Sequence, residues 1–130
     1  MSNTILILED EPLILMDLEF AAQDHGCEPL TALCKEDALA FVAKREADIS
    51  VAVLDVSLGG GHTCLPVARE LDRLGVPYIL HSGDLDRHDE TIRELDAALI
   101  AKPACAKRVI EAALSAVSSQ SDGAEKHAAE

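Results

Sequence analysis

Two short aliphatic runs, each ending in acid, constrain this chain more than anything else in it. Thr4-Ile5-Leu6-Ile7-Leu8 and Ser50-Val51-Ala52-Val53-Leu54 show no sustained alternation of apolar and polar residues. A strand that is apolar without interruption is buried on both faces, as happens inside parallel sheets covered by helices on either side. The first run passes into Glu9-Asp10-Glu11 and the second into Asp55, followed by Val56-Ser57-Leu58 and then Gly59 to Gly61. The acids therefore fall at the carboxyl ends of their strands, the edge where loops splay apart and ligands bind in open α/β sheets. Taken alone, Asp55 could equally cap or turn the chain.

The remaining segments alternate in the same way. Pro12 suits the first turn of a helix that carries Ile14, Leu18, Ala21 and Ala22 as far as His25, with Gly26 as its C-terminal cap. Glu28 to Ala32 is a weak strand, and Lys35 to Ala47 repeats the helical stripe through Ala38, Leu39, Val42 and Ala43. The third strand spans Asp48 to Asp55. Pro66 then opens a helix with Val67, Leu71 and Leu74, which Gly75 ends. Strands at Val76 to His81 and Ala97 to Ala101 flank a short helix over Asp89 to Leu95, and Lys107 to Ser118 forms the last amphipathic helix. Ser119 to Glu130 has no apolar period and reads as a disordered tail after a single domain over residues 1–118. Strands and helices in strict alternation predict an α/β fold, a doubly wound five-stranded parallel sheet with right-handed crossovers.

Composition narrows the function. The 130 residues carry a formal charge of −13, which disfavours nucleic acid or an anionic membrane surface as a direct partner. No apolar stretch reaches the length of a membrane span and no secretory signal opens the chain, so a cytoplasmic protein is expected. The four cysteines, Cys27, Cys34, Cys64 and Cys105, lack metal-site spacing and read as core or near-surface residues.

If the first and third strands are neighbours, Glu9, Asp10 and Asp55 crowd one end of the sheet. Two unit charges about 4 Å apart repel by about 4 kcal/mol at an effective dielectric of 20. A hard divalent cation bound through oxygen would offset this, and Mg²⁺, needing only one or two carboxylates beside water and phosphate, fits best. Lys102, after the fifth strand, adds an ammonium, and Ser82, after the fourth, adds a hydroxyl. Phosphoryl transfer onto a carboxylate nucleophile needs this set. Each residue also has a plainer role: Lys102 as a solvated charge, Ser82 as a turn former, Glu9 to Glu11 as acids at a helix N-terminus. Agreement among four strand ends favours the shared site.

The combination of Glu9-Asp10, Leu54-Asp55, Ser82 and Lys102-Pro103, each after a strand, resembles the receiver domains of bacterial two-component response regulators, over roughly Thr4 to Ser118. The resemblance implies a flavodoxin-like sheet of order 2-1-3-4-5. It implies Asp55 as phosphoacceptor, and a Mg²⁺ site made by Asp10, Asp55, the backbone carbonyl of Ser57 and, through water, Glu9. Ser82 would be the switch hydroxyl, Lys102 the ion-pair partner of the phosphoryl group, and the Lys102-Pro103 bond cis. Ser57 and Asp84 occupy positions that tune the lifetime of the phosphoryl group. The implied partners are a histidine kinase or histidine phosphotransferase and a protein target, because no output domain follows the last helix.

Two features depart from the family. Leu99 stands where receivers usually carry Tyr or Phe, so no ring is present to swap rotamers on phosphorylation. Leu80-His81-Ser82-Gly83 replaces the Phe-Ala-Thr-Gly of the small alphaproteobacterial receivers that the glycine loop otherwise resembles. His81 and His88 are expected to be surface histidines. The competing readings are a Mg²⁺-dependent phosphohydrolase with an Asp nucleophile, which normally needs a second Asp where this chain has Ser57, and a degenerate receiver serving only as an interaction module.

Overall fold

The two aliphatic runs become neighbouring strands. The computed structural model describes residues 3–58, 62–83, 95, 97–102 and 104–129, with side chains through residue 118. In it β1 (Thr4–Leu8) lies parallel to β3 (Ile49–Asp55), with Leu8 beside Leu54. β2 (Glu28–Ala32) pairs with the far side of β1, and β4 (Tyr78–Ser82) and β5 (Leu99–Ala101) extend the sheet beyond β3. The result is a parallel five-stranded sheet in the order β2-β1-β3-β4-β5, the doubly wound arrangement expected from the sequence.

Uninterrupted apolar strands serve two cores at once. Leu6, Leu8, Leu54 and Leu80 face α2 (Lys35–Arg45) and α3 (Leu65–Leu74), packing with Leu30, Val42, Val67 and Leu71. The alternate residues Ile5, Ile7, Val51, Val53 and Ile79 face α1 (Pro12–Asp24) and α4 (Ala106–Ala129), packing with Leu18, Ala22, Val109, Ile110 and Ala113. Fully burying one such side chain contributes about 1.5–3 kcal/mol. The acids that follow these strands are thereby carried on a rigid platform.

Two glycines stop helices as anticipated. Gly26 and Gly75 have φ of 75° and 73°, a left-handed conformation that costs glycine little. Beyond Gly75, the Val76 N–H bonds back to Leu71 O at 2.9 Å, and Pro77 has no N–H to give. These two residues belong to the helix stop, so β4 begins at Tyr78 rather than at Val76. Beyond Ser118 the helical backbone is described as far as Ala129. Ala124, Glu125, Lys126, Ala128 and Ala129 are strong helix formers, and propensity continues where the apolar period has ended. Of the helix expected over Asp89 to Leu95, only Leu95 is among the described residues, and it is buried.

Candidate functional site

Parallel strands end at the same edge, so their last side chains form a row. In register, Leu8 lies beside Leu54, Asp55 beside His81, and His81 beside Ile100. Glu9 continues β1, Asp55 ends β3, His81 precedes the end of β4, and Lys102 follows β5. The face of α1 closes over this row through Ile14 and Leu18.

Glu9 is wholly buried. Its Oε2 accepts the backbone N–H of Glu11 at 3.1 Å, and its Oε1 lies 2.9 Å from Lys102 Nζ as an ion pair. The same ammonium is 3.4 Å from Asp55 Oδ1, which also accepts the Ser57 N–H at 3.4 Å. Asp55 Oδ2 is buried without a hydrogen-bond partner. Asp10, half-buried, places a carboxylate oxygen within 4.8 Å of oxygens from both Glu9 and Asp55. Of the residues singled out in the sequence, the structure thus brings together Glu9, Asp10, Asp55 and Lys102, with the Ser57 backbone against Asp55.

Charge within the cluster is unbalanced. Burial, and after it Asp10 and Glu9, push the Asp55 carboxyl up to about 8, against the pull of Lys102. Lys102 moves upward as well, because Glu9 and Asp55 outweigh the burial that would lower it. The two shifts reflect one deficit: among the described residues three carboxyl groups share a single ammonium, so the lysine charge is favoured and the aspartate charge is not. The crowding of three carboxyl groups, the all-oxygen donor set and the unpartnered Asp55 Oδ2 together fit a hard divalent cation.

Ser82 ends β4 and is buried, and its carbonyl accepts the Lys102 N–H at 2.9 Å. Gly83 lies against the aliphatic stem of Lys102. Leu99, half-buried, pairs with Leu80 and packs on the α2 and α3 side of the sheet, away from the acids. Asp84, His88, Gly59 to Gly61 and the Lys102-Pro103 bond lie outside the described residues.

His81 corrects an expectation. It is 3% exposed, not a surface residue, with Nδ1 4.0 Å from Glu9 Oε1. The signal was present: a histidine inside a strand apolar on both sides, Tyr78-Ile79-Leu80, has no solvent face to turn to. A cavity of about 170 Å³ beside it is lined by Ile14, Asp17, Leu18, His81, Lys102, Ala104 and Ala106. A larger one, about 800 Å³, lies at the opposite edge of the sheet around Val76, Pro77 and Ala98. It is remote from the charged row, and its Asp72 carboxylate is already engaged by the Tyr78 hydroxyl.

No family model and no curated protein sequence matches the chain. Solved structures do. A response regulator receiver domain protein from Clostridium thermocellum is 24% identical, with a TM-score of 0.78 over 92% of this chain and 97% of that one. A response regulator receiver protein from Sinorhizobium medicae gives 21% identity and a TM-score of 0.79 over the same shares. NtrX from Brucella abortus is 26% identical with a TM-score of 0.84, the match spanning 100% of this chain and 30% of that longer one. The parallel sheet of order 2-1-3-4-5, with helices on both faces and acids gathered at its carboxyl edge, has the fold of the response regulator receiver domains.

Proposed function

We propose that this chain is a phosphoacceptor: a receiver in which Asp55 takes a phosphoryl group from a phosphohistidine on a histidine kinase or histidine phosphotransferase. The observation that carries the reading is Asp55 itself, buried at the end of β3 with Oδ2 unpartnered, beside two further acids and 3.4 Å from the Lys102 ammonium.

In the transfer, a carboxylate oxygen of Asp55 forms the new O–P bond while the N–P bond of the donor breaks and its imidazole leaves. Lys102 is placed to draw charge from the arriving phosphoryl oxygens, and the Ser57 N–H holds the carboxylate in orientation. Ser82, at the end of the adjacent strand, supplies a hydroxyl. Asp10, Asp55, the Ser57 carbonyl and, through water, Glu9 would hold Mg²⁺, which supplies the positive charge that the phosphoryl oxygens and the three acids need. Ser57 and Asp84 flank the site and would set how long the aspartyl phosphate lasts.

The protein turns over only its own aspartyl phosphate. It passes the group on, or binds a protein target while carrying it, in a bacterial cytoplasm. No helix among the described residues is long and apolar enough to cross a membrane.

Incubation with acetyl phosphate and Mg²⁺ should add one phosphoryl group by intact mass, and Asp55→Ala should add none. Equal labelling of Asp55→Ala would overturn the assignment. A time course of the adduct measures its lifetime, and steady release of phosphate from a free monoester would favour a hydrolase instead.

A further inference from the structure

His81 has no role in the transfer just described. Its ring is buried to 3% exposure, and neither Nδ1 nor Nε2 has a hydrogen-bond partner. Native interiors rarely leave polar atoms so. Nδ1 points toward the carboxylate cluster, 4.0 Å from Glu9 Oε1. An imidazole nitrogen without a proton offers a lone pair to a metal ion. The other histidines with described side chains engage elsewhere, His25 with Glu111 and His62 with Lys35.

Metal bonds of about 2.0–2.2 Å to nitrogen and oxygen allow two ligands of one ion to stand up to roughly 4.2 Å apart. That limit holds for ligands on opposite sides of an ion, whereas tetrahedral ligands stand about 3.4 Å apart; the 4.0 Å between Glu9 Oε1 and His81 Nδ1 lies between the two, so a closure of about half an ångström brings the pair to tetrahedral spacing. The cavity of about 170 Å³ bordered by Asp17, His81 and Lys102 gives adjoining space for water or an entering ion.

We propose that His81 extends the carboxylate cluster into a mixed oxygen and nitrogen site that takes a first-row transition cation, such as Co²⁺ or Zn²⁺, through Glu9 and the His81 ring. This rests on the reading of Glu9, Asp10 and Asp55 as a cation site. Imidazole suits these metals, whereas Mg²⁺ keeps to oxygen. The competitor is Lys102, whose ammonium lies 2.9 Å from the same Glu9 oxygen and 3.4 Å from Asp55 Oδ1. An ion held by His81 displaces that ammonium from Glu9 and leaves it to Asp55.

The test is calorimetric titration of the full chain with CoCl₂ and, separately, MgCl₂, with the visible spectrum of bound Co²⁺ as a second readout. Two variants are compared, His81→Leu, whose apolar side chain suits a strand buried on both faces, and His81→Gln, which keeps a polar group. In both, the preference for Co²⁺ over Mg²⁺ should fall by at least about tenfold and the cobalt spectrum should change, while Mg²⁺ binding is retained. An undiminished preference in both variants places cobalt on other residues and overturns the proposal. A wild-type chain that binds Mg²⁺ but binds Co²⁺ no more tightly overturns it too, leaving the cation reading intact. Binding of neither ion defeats both.

Discussion

In the role proposed for it, Asp55 joins two demands that pull against each other: burial, to accept phosphorus away from water, and ionisation, to attack it. Its carboxyl is pushed up to about 8 in the folded chain, first by burial, against 3.8 as the ordinary value. Between these values the folded state holds a proton that the unfolded state has lost, so stability falls as pH rises through the window. In the absence of divalent cations, the melting temperature should be lower at about pH 8 than at about pH 5, and Asp55→Asn should flatten the difference. A ligand at a hundred times its dissociation constant contributes about 2.7 kcal/mol. Saturating Mg²⁺ should therefore raise the melting temperature measurably, and Asp10→Ala should remove most of that rise. Glu9, Asp10, Asp55 and Lys102 were readable from the sequence because each follows a recognisable strand, and parallel strands end together. His81 was misread because histidine is more often exposed than buried, and only the two-sided burial of β4 decides its place.

Elements differ in how much of their sequence is bound to the sheet. On α1, Leu18 is 1% exposed, whereas Phe20, two residues on, is 55% exposed. Leu18→Ala should cost about 2–5 kcal/mol in urea denaturation, since it opens a cavity between α1 and the sheet. Phe20→Ser should stay within about 0.5 kcal/mol, because an exposed side chain has little burial to lose. Among the described side chains of α4 the packed residues run from Ala106 to Val117, and the sequence after Ser118 carries no apolar period, so deleting residues 119–130 should leave the midpoint of denaturation nearly unchanged. Helix ends were legible where chemistry marks them, at Pro12, Gly26 and Gly75. The end of α4 was not, because packing period and helix propensity stop at different residues.

Across the whole molecule the formal charge of −13 is a standing repulsion that folding must overcome. Part of it is concentrated among Glu9, Asp10 and Asp55, and part is spread over exposed acids such as Glu11, Asp17, Glu36 and Asp37. Raising NaCl from about 10 mM to about 200 mM screens the spread part and should raise the melting temperature of wild type and Asp10→Ala alike. The response to Mg²⁺ beyond matched ionic strength should belong to the wild type alone, which separates site binding from screening. The parallel, doubly wound sheet followed from alternating runs and the crossover rule, because a chain with so few ways to bury two-sided strands has few topologies open to it, whereas the order of its strands came from the family resemblance.

The closure just after Asp55 has a practical consequence. Ser57 bridges to Thr63, the Leu58 N–H bonds to His62 O at 3.0 Å, and the Cys64 N–H to Val56 O at 3.1 Å. The backbone is stapled across the base of the intervening loop. A dye or short peptide spliced between Leu58 and His62 would hang from a fastened neck, leaving the packing of β3 and α3 undisturbed.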